Sequence, residues 1–122
     1  MSHPFALPPR KSVLLVDDEP NVLKMLGMVL TNAGFDVRCV ENAFEGLRFF
    51  RLRLWDAVIT DRAMPGVNGE EMAARMREYQ PNVPILMLTG MPGSLKHPEL
   101  FNAILPKPFL ASELLDRLTQ IL

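Results

Sequence analysis

Four short, mainly apolar segments of this chain are each followed, within two residues, by a polar or charged residue. The first, Ser12 to Val16, is followed directly by Asp17-Asp18-Glu19, and the others cover residues 55–60, 85–88 and 103–105. An apolar run that acids close abruptly is typical of a strand buried on both faces of a parallel sheet. These segments therefore predict the strands of one parallel sheet.

Helical patterns separate the predicted strands. Pro20 is suited to the first turn of a helix, and Gly34 is suited to its end. Residues 35–40 alternate between apolar and polar, as in a half-exposed edge strand. Asn42 then predicts the N-cap of a second helix over roughly residues 43–53.

The second half of the chain continues the alternation. A third helix is predicted over residues 69–80, with Met72, Met76 and Tyr79 on one side, and a last helix over residues 111–122. Between the fourth and fifth strands, two prolines and a glycine in residues 91–101 leave room for at most a short helix. The fourth helix is therefore expected to be short or irregular.

Alternating strands and helices predict an α/β fold, with a parallel sheet covered by helices on both faces through right-handed crossovers. In such sheets, ligands bind at the carboxyl ends of the strands. The residues at or just past those ends are Asp17, Asp18, Asp61, Thr89 and Lys107. The chemistry is therefore expected along one rim of the sheet.

Three carboxylates on one rim would repel one another unless a cation neutralised them. An all-oxygen site with few carboxylates describes Mg²⁺ better than zinc. The Lys107 ammonium and the Thr89 hydroxyl could then hold phosphoryl oxygens, and an aspartate such as Asp61 could take a phosphoryl group as an acyl phosphate. The rim is interpreted as a phosphoryl-accepting site.

Composition and charge narrow the classes of protein to which the chain can belong. With 122 residues, 13 basic and 14 acidic side chains and a net charge of -1, the chain predicts one compact domain without the charge excess for direct nucleic-acid binding. No apolar run approaches the roughly 18 residues of a membrane span, which argues against membrane insertion. Cys39 is the only cysteine, which favours a reducing, cytoplasmic setting. Residues 1–11, rich in proline, are interpreted as a flexible arm.

The sequence resembles the receiver domain of two-component response regulators over residues 12–122. Four motifs carry the resemblance, and they stand in order at the predicted strand ends: Leu15-Val16-Asp17-Asp18-Glu19-Pro20, Ile59-Thr60-Asp61-Arg62-Ala63-Met64-Pro65-Gly66-Val67-Asn68-Gly69, Leu88-Thr89-Gly90 and Leu105-Pro106-Lys107-Pro108-Phe109. Each motif alone is a weak signal, whereas all four together are specific.

The resemblance implies roles for individual residues. Asp61 would be the phosphoacceptor, Asp17 and Asp18 would bind Mg²⁺ together with the Ala63 backbone carbonyl, Lys107 would contact the phosphoryl group, and Thr89 would move to hydrogen-bond it. It also implies a flavodoxin-like (βα)5 sandwich of strand order 2-1-3-4-5 and a cis peptide between Lys107 and Pro108.

The resemblance further implies a function in phosphorelay signal transduction. The phosphodonor would be a sensor histidine kinase or a histidine phosphotransfer protein, and the output would be binding to an unidentified downstream protein. The chain would not be an enzyme beyond self-catalysed phosphorylation and dephosphorylation.

Two departures from the family pattern concern the output. Many receivers carry an aromatic residue three positions before the lysine, where this chain has Ile104. The stretch from Thr89 to Lys107 is also shorter than in most receivers by about one helical turn. The usual aromatic readout is therefore not expected here.

Other interpretations stay open at this point. Asp17-Asp18-Glu19 could simply complement a helix dipole, and Asp61 could cap a turn. The chain could be a receiver-like interaction module without a phosphorylation cycle, or a receiver segment of a hybrid histidine kinase. A phosphatase of the haloacid dehalogenase type would need Asp-x-Asp after the first strand, and a flavodoxin-like carrier would need a phosphate loop there. Neither pattern is present.

Overall fold

The computed structural model describes residues 9–64 and 66–122. Most of the predicted N-terminal arm, residues 1–8, lies outside the described residues, and residues 9–11 are exposed. No helix in the described ranges is long and apolar enough to cross a membrane.

Strands and helices alternate along the described chain, as the sequence predicts. The strands are β1 (Ser12–Val16), β2 (Asp36–Val40), β3 (Ala57–Asp61), β4 (Ile85–Thr89) and β5 (Ala103–Pro106), and the α-helices are α1 (Pro20–Asn32), α2 (Ala43–Phe50), α3 (Gly69–Tyr79) and α4 (Ala111–Ile121). All strand pairs are parallel, in the order β2-β1-β3-β4-β5. This confirms the predicted flavodoxin-like topology.

Two apolar cores lie on opposite faces of the sheet. Helices α2 and α3 pack on one face through buried residues such as Phe50, Met72 and Met76. Helices α1 and α4 pack on the other face through leucines that include Leu26 and Leu118. Strands β1, β3 and β4 are buried along their whole length, because helices cover them on both sides.

Local signals set most element boundaries. The Asn42 side chain accepts a hydrogen bond from the Glu45 N–H at 2.8 Å, so it is the N-cap of α2 as predicted. Helix α2 ends at Phe50, three residues before the predicted end. Strand β3 begins at Ala57 rather than Trp55, because the Asp56 carboxylate turns to accept hydrogen bonds from the Ser12 backbone and hydroxyl.

Tyr79 differs in burial from the two methionines that share its predicted side of α3. Met72 and Met76 are fully buried, whereas Tyr79 is 54% exposed. Tyr79 is the last residue of α3, and the Arg51 guanidinium lies over its ring at 4.8 Å from the centroid. Helical spacing places Tyr79 near the methionine face, but the core ends before it.

The connection between β4 and β5, residues 90–102, has no α-helix. It contains two 3-10 turns, Pro92–Ser94 and Pro98–Leu100, which confirms the predicted short or irregular fourth helix. Arg77 on α3 holds the far end of this connecting segment. Its guanidinium donates to Leu100 O at 2.8 Å, Pro81 O at 2.8 Å, Val83 O at 2.9 Å and Asn102 Oδ1 at 2.8 Å.

Candidate functional site

Three carboxylates meet at the carboxyl ends of β1 and β3. Asp17 and Asp18 follow β1, and Asp61 ends β3. The two strands are neighbours, with Val16 opposite Thr60 in the parallel register. One oxygen from each of the three side chains lies within 4.8 Å of the others. The structure therefore brings together the three acids that the sequence places at strand ends.

The Asp17 side chain has the environment of a metal ligand. It is buried, and Oδ1 accepts a hydrogen bond from the Glu19 N–H at 2.9 Å. Among the described residues, Oδ2 has no hydrogen-bond partner. Burial raises the pKa of the Asp17 carboxyl and the nearby Asp61 raises it further, whereas the Glu19 N–H opposes both effects. A divalent cation would satisfy the orphaned oxygen and relieve the repulsion.

The Glu19 hydrogen bond also bears on one open interpretation from the sequence. Asp17 Oδ1 does accept a backbone N–H immediately before α1, as a carboxylate near a helix start can. The orphaned Oδ2 and the approach of the Asp61 carboxylate are not features of a simple helix start. Asp17 therefore combines the two roles: Oδ1 accepts a backbone N–H at the helix start, and Oδ2 is available to a cation.

Lys107 reaches the cluster from β5. Its Nζ donates to Asp61 Oδ1 at 2.8 Å, although Lys107 lies 46 residues further along the chain. The backbone places it there, because the Lys107 N–H donates to Thr89 O at 2.9 Å. The predicted cis peptide between Lys107 and Pro108 is present.

Thr89 ends β4 beside the same cluster. Residue pairs Asp61–Leu88 and Thr89–Pro106 are opposite each other in the sheet, so Thr89 lies at the rim between β3 and β5. Its side chain is buried, and its hydroxyl oxygen accepts a hydrogen bond from the Met91 N–H at 3.1 Å. The predicted hydroxyl and ammonium therefore arrive at the rim from adjacent strands.

Ala63 lies in the loop that leaves β3, two residues beyond Asp61, and its side chain is exposed. Gly69, which begins α3, packs against the same strand end. A Cβ on Gly69 would lie 2.4 Å from the Asp61 backbone oxygen. The helix start and the motif that include Gly69 do not indicate this contact, whereas the structure shows that the lack of a side chain at Gly69 lets α3 approach Asp61.

Two charged residues beside the site were not predicted from the sequence. Arg62 follows Asp61 directly and reaches Ser94 in the connecting segment, donating to its hydroxyl and, at 3.0 Å, to its carbonyl oxygen. Glu70 is buried, and its carboxylate accepts a hydrogen bond from the His97 N–H at 2.7 Å. The signal that could have indicated Arg62 is a charge directly after a buried strand.

A family model described as the response regulator receiver domain matches residues 13–119. The chain belongs to the response regulator receiver domain family. This family explains why the strand order and the rim agree with the resemblance noted in the sequence.

Individual proteins of known name are also similar in sequence to this chain. The receiver domain is 40% identical over 78 residues to the transcriptional regulatory protein GlrR of Escherichia coli, covering 64% of this chain and 18% of that protein. It is 34% identical over 115 residues to the transcriptional regulatory protein CusR of Escherichia coli, covering 90% of this chain and 50% of that protein. The chain thus spans half or less of the length of these two curated relatives.

A solved structure supports the fold independently. The response regulator protein TrrA of Thermotoga maritima, in complex with Mg²⁺-BeF, superimposes with a TM-score of 0.85 at 31% identity, covering 92% of this chain and 99% of that one.

Proposed function

We propose that this receiver domain accepts one phosphoryl group on Asp61 from a phosphohistidine donor in a Mg²⁺-dependent reaction. The observation that carries the proposal is the environment of Asp61. Its carboxylate is 2.8 Å from the Lys107 ammonium on one side and within 4.8 Å of the Asp17 and Asp18 oxygens on the other. Within residues 9–64 and 66–122, Asp61 is thus the one acid of the three that a lysine holds by hydrogen bonding.

In the proposed reaction, an Asp61 carboxylate oxygen attacks the phosphorus atom and the phosphorus–nitrogen bond to the donor imidazole breaks. The electron pair of that bond stays with the imidazole nitrogen, which takes a proton from solvent. Lys107 orients the carboxylate before the attack and would contact the transferred phosphoryl oxygens afterwards. The Thr89 hydroxyl, at the next strand end, would donate to another of these oxygens.

The donor set fits Mg²⁺ on its own chemistry. Carboxylate oxygens with water are the usual ligands of this ion, and the orphaned Asp17 Oδ2 would provide one of them. The proposed ligands are Asp17, Asp18, Asp61 and the backbone carbonyl of Ala63. When bound, the ion would neutralise charge between the carboxylates and the incoming phosphoryl oxygens.

The proposed partners follow from the reaction. The donor would be a sensor histidine kinase or a histidine phosphotransfer protein, and the downstream partner is an unidentified protein. Receiver domains are signalling switches, so the chain is proposed to have no enzymatic activity apart from its own phosphorylation and dephosphorylation. A cytoplasmic location stays a prediction.

A second candidate is an interaction module that runs no phosphorylation cycle. It is favoured by Ile104, which packs against the α2–α3 side of the core where many receivers have an aromatic residue, and by the lack of an α-helix between β4 and β5 in the described chain. Whether the chain is a segment of a hybrid histidine kinase stays a prediction as well.

Phosphorylation can be tested with a small donor. Incubation with acetyl phosphate and Mg²⁺ is expected to add the mass of one phosphoryl group, measured on the intact protein. Asp61→Asn should abolish the addition, whereas Asp116→Asn, a matched change on the exposed side of α4, should not. Labelling of Asp61→Asn would refute the assignment of Asp61. No labelling of the wild type, together with an amide spectrum that the donor leaves unchanged, would favour the interaction module.

A further inference from the structure

Arg62 links the phosphoacceptor strand to the connecting segment between β4 and β5. One guanidinium nitrogen donates to the Ser94 hydroxyl, and the second donates to the Ser94 carbonyl oxygen at 3.0 Å. The third, Nε, is 3.9 Å from Glu70 Oε2. The side chain is 28% exposed, so the guanidinium lies partly out of water against its partners. A planar fork with several donors is suited to such a bridge.

Glu70 completes the attachment from α3. Its side chain is only 7% exposed, and Oε1 accepts the His97 N–H at 2.7 Å. Arg62 and Glu70 therefore hold the connecting segment at two places, Ser94 and His97. Both residues lie within nine positions of Asp61 in the sequence. Arg62 is in the loop after β3, and Glu70 is in the first turn of α3.

Hydrogen bonds continue from Ser94 to the rim. The Ser94 hydroxyl donates to Met91 O at 2.9 Å, and the Ser94 N–H donates to the same oxygen at 3.1 Å. The Met91 N–H in turn donates to the Thr89 hydroxyl oxygen at 3.1 Å. Arg62 is thus connected to the Thr89 hydroxyl through two residues of the connecting segment.

A phosphoryl group on Asp61 would compete with the Met91 N–H for the Thr89 hydroxyl. The Thr89 hydroxyl now accepts from Met91, and a hydroxyl can also donate one hydrogen. Phosphoryl oxygens are strong acceptors that add negative charge at the rim. A rotation of the Thr89 side chain that carries its hydroxyl oxygen toward the phosphoryl group would take that oxygen away from the Met91 N–H, and the first turn of the connecting segment would be free to move.

We propose that Arg62 is a positioning residue that holds the connecting segment in its resting position and so sets how readily phosphorylation of Asp61 moves it. The inference rests on the proposed function, because it gives the regulation of the same site. Movement of the connecting segment would also report phosphorylation without the aromatic residue that many receivers carry at the position of Ile104. Ser94 and Glu70 are the partners through which Arg62 acts.

The test measures the position of the Met91 amide in ¹⁵N–¹H spectra, because this N–H bonds to Thr89. Beryllofluoride with Mg²⁺ serves as the probe for the phosphorylated state. The proteins are the wild type, Arg62→Met, the conservative Arg62→Lys, Ser94→Ala and Arg75→Met, which removes an exposed arginine of α3 as the matched control.

In the wild type, the probe is expected to move the Met91 peak. Without the probe, the Arg62→Met peak should lie on the line between the two wild-type positions, because the loss of charged hydrogen bonds shifts the equilibrium roughly tenfold. Ser94→Ala should lie on the same line, Arg62→Lys closer to the resting end, and Arg75→Met at the wild-type position. Acetyl phosphate should still label Arg62→Met once.

Two results would overturn the inference, and they differ in what they say about phosphorylation. In the first, the wild type responds to the probe, but the Arg62→Met peak lies at the resting position or off the line. Arg62 would then be a merely structural residue, and the proposed phosphoacceptor site would stand. A wild type that neither responds to beryllofluoride nor takes a label from acetyl phosphate would remove the proposed function and this inference together.

Discussion

Replacement of Gly69 by alanine is predicted to destabilise the protein, although the same change stabilises an ordinary helix position. A Cβ at residue 69 would lie 2.4 Å from the Asp61 carbonyl oxygen and 3.2 Å from the Arg62 Cα. Real Cβ contacts are essentially never below 3.0 Å, so the backbones must separate by the difference between 3.0 and 2.4 Å, about 0.6 Å. The obstacle is backbone and not a flexible side chain, so it cannot simply rotate away.

The size of the effect follows from two opposing terms. Overpacking of this kind costs about 1–3 kcal/mol, because strand and helix must both shift. Alanine recovers up to about 1 kcal/mol through its helix propensity and through a less flexible unfolded chain. Because the obstacle is backbone at 2.4 Å, the upper part of that range applies, about 2–3 kcal/mol, and the free energy of unfolding should fall by about 1–2 kcal/mol after the recovery. Phosphoryl transfer to Asp61 should slow as well, because the strand end that carries it is displaced.

Urea titration of the wild type, Gly69→Ala and Gly93→Ala measures this directly. Gly93 is the matched control, because a Cβ there meets no atom within 4 Å. Gly93→Ala should keep the wild-type stability or exceed it slightly. A Gly69→Ala protein as stable as the wild type would refute the close-approach argument.

The remaining predictions concern Arg77 and Asp17. Arg77→Met should lower the free energy of unfolding by about 2–3 kcal/mol in urea titrations, because four acceptors lose a charged donor, whereas Arg75→Met should change it by less than about 0.5 kcal/mol. An equal effect of the two changes would contradict the role of Arg77. Asp17→Asn should stabilise the protein without metal and remove its stabilisation by Mg²⁺. The folded-state pKa of Asp17 is raised, so its ionised form destabilises the folded state above that pKa. This penalty is relieved as the pH falls through the folded pKa toward the unfolded value of 3.8. The stability gap between Asp17→Asn and the wild type, in EDTA, should therefore be largest near neutral pH and shrink on acidification; a gap that widens would show the opposite sign of shift.

Two features of the site could be recognised from local sequence. Asp17 directly follows one buried apolar run, and Asp61 ends another. The carboxyl ends of neighbouring parallel strands lie along one rim of the sheet, so these two acids are expected to meet. Thr89 and Lys107 stand at the ends of the next two strands for the same reason. The bounds of β1 and the N-cap at Asn42 agree with the structure because they depend only on residues within about one turn of the chain.

Other features could not be read from the sequence, because they depend on which elements pack together. Tyr79 has the spacing of a buried residue, but its exposure is decided by where the core ends. Arg77 has the appearance of an ordinary surface charge on α3, and burial in fact lowers the pKa of its guanidinium while it binds backbone 23 residues away. No periodic pattern carries information about such partners.

By itself, then, the sequence determined the order of the strands and helices, the parallel sheet and the set of side chains on its rim, because hydrophobic period and strand ends are local properties. The tertiary structure alone decided that Asp17 keeps an oxygen with no partner among the described residues, that Gly69 must lack a side chain, and that Arg62 reaches Ser94 across 32 residues of chain. These are contacts between separate elements, and they exist only once the helices have packed on the sheet.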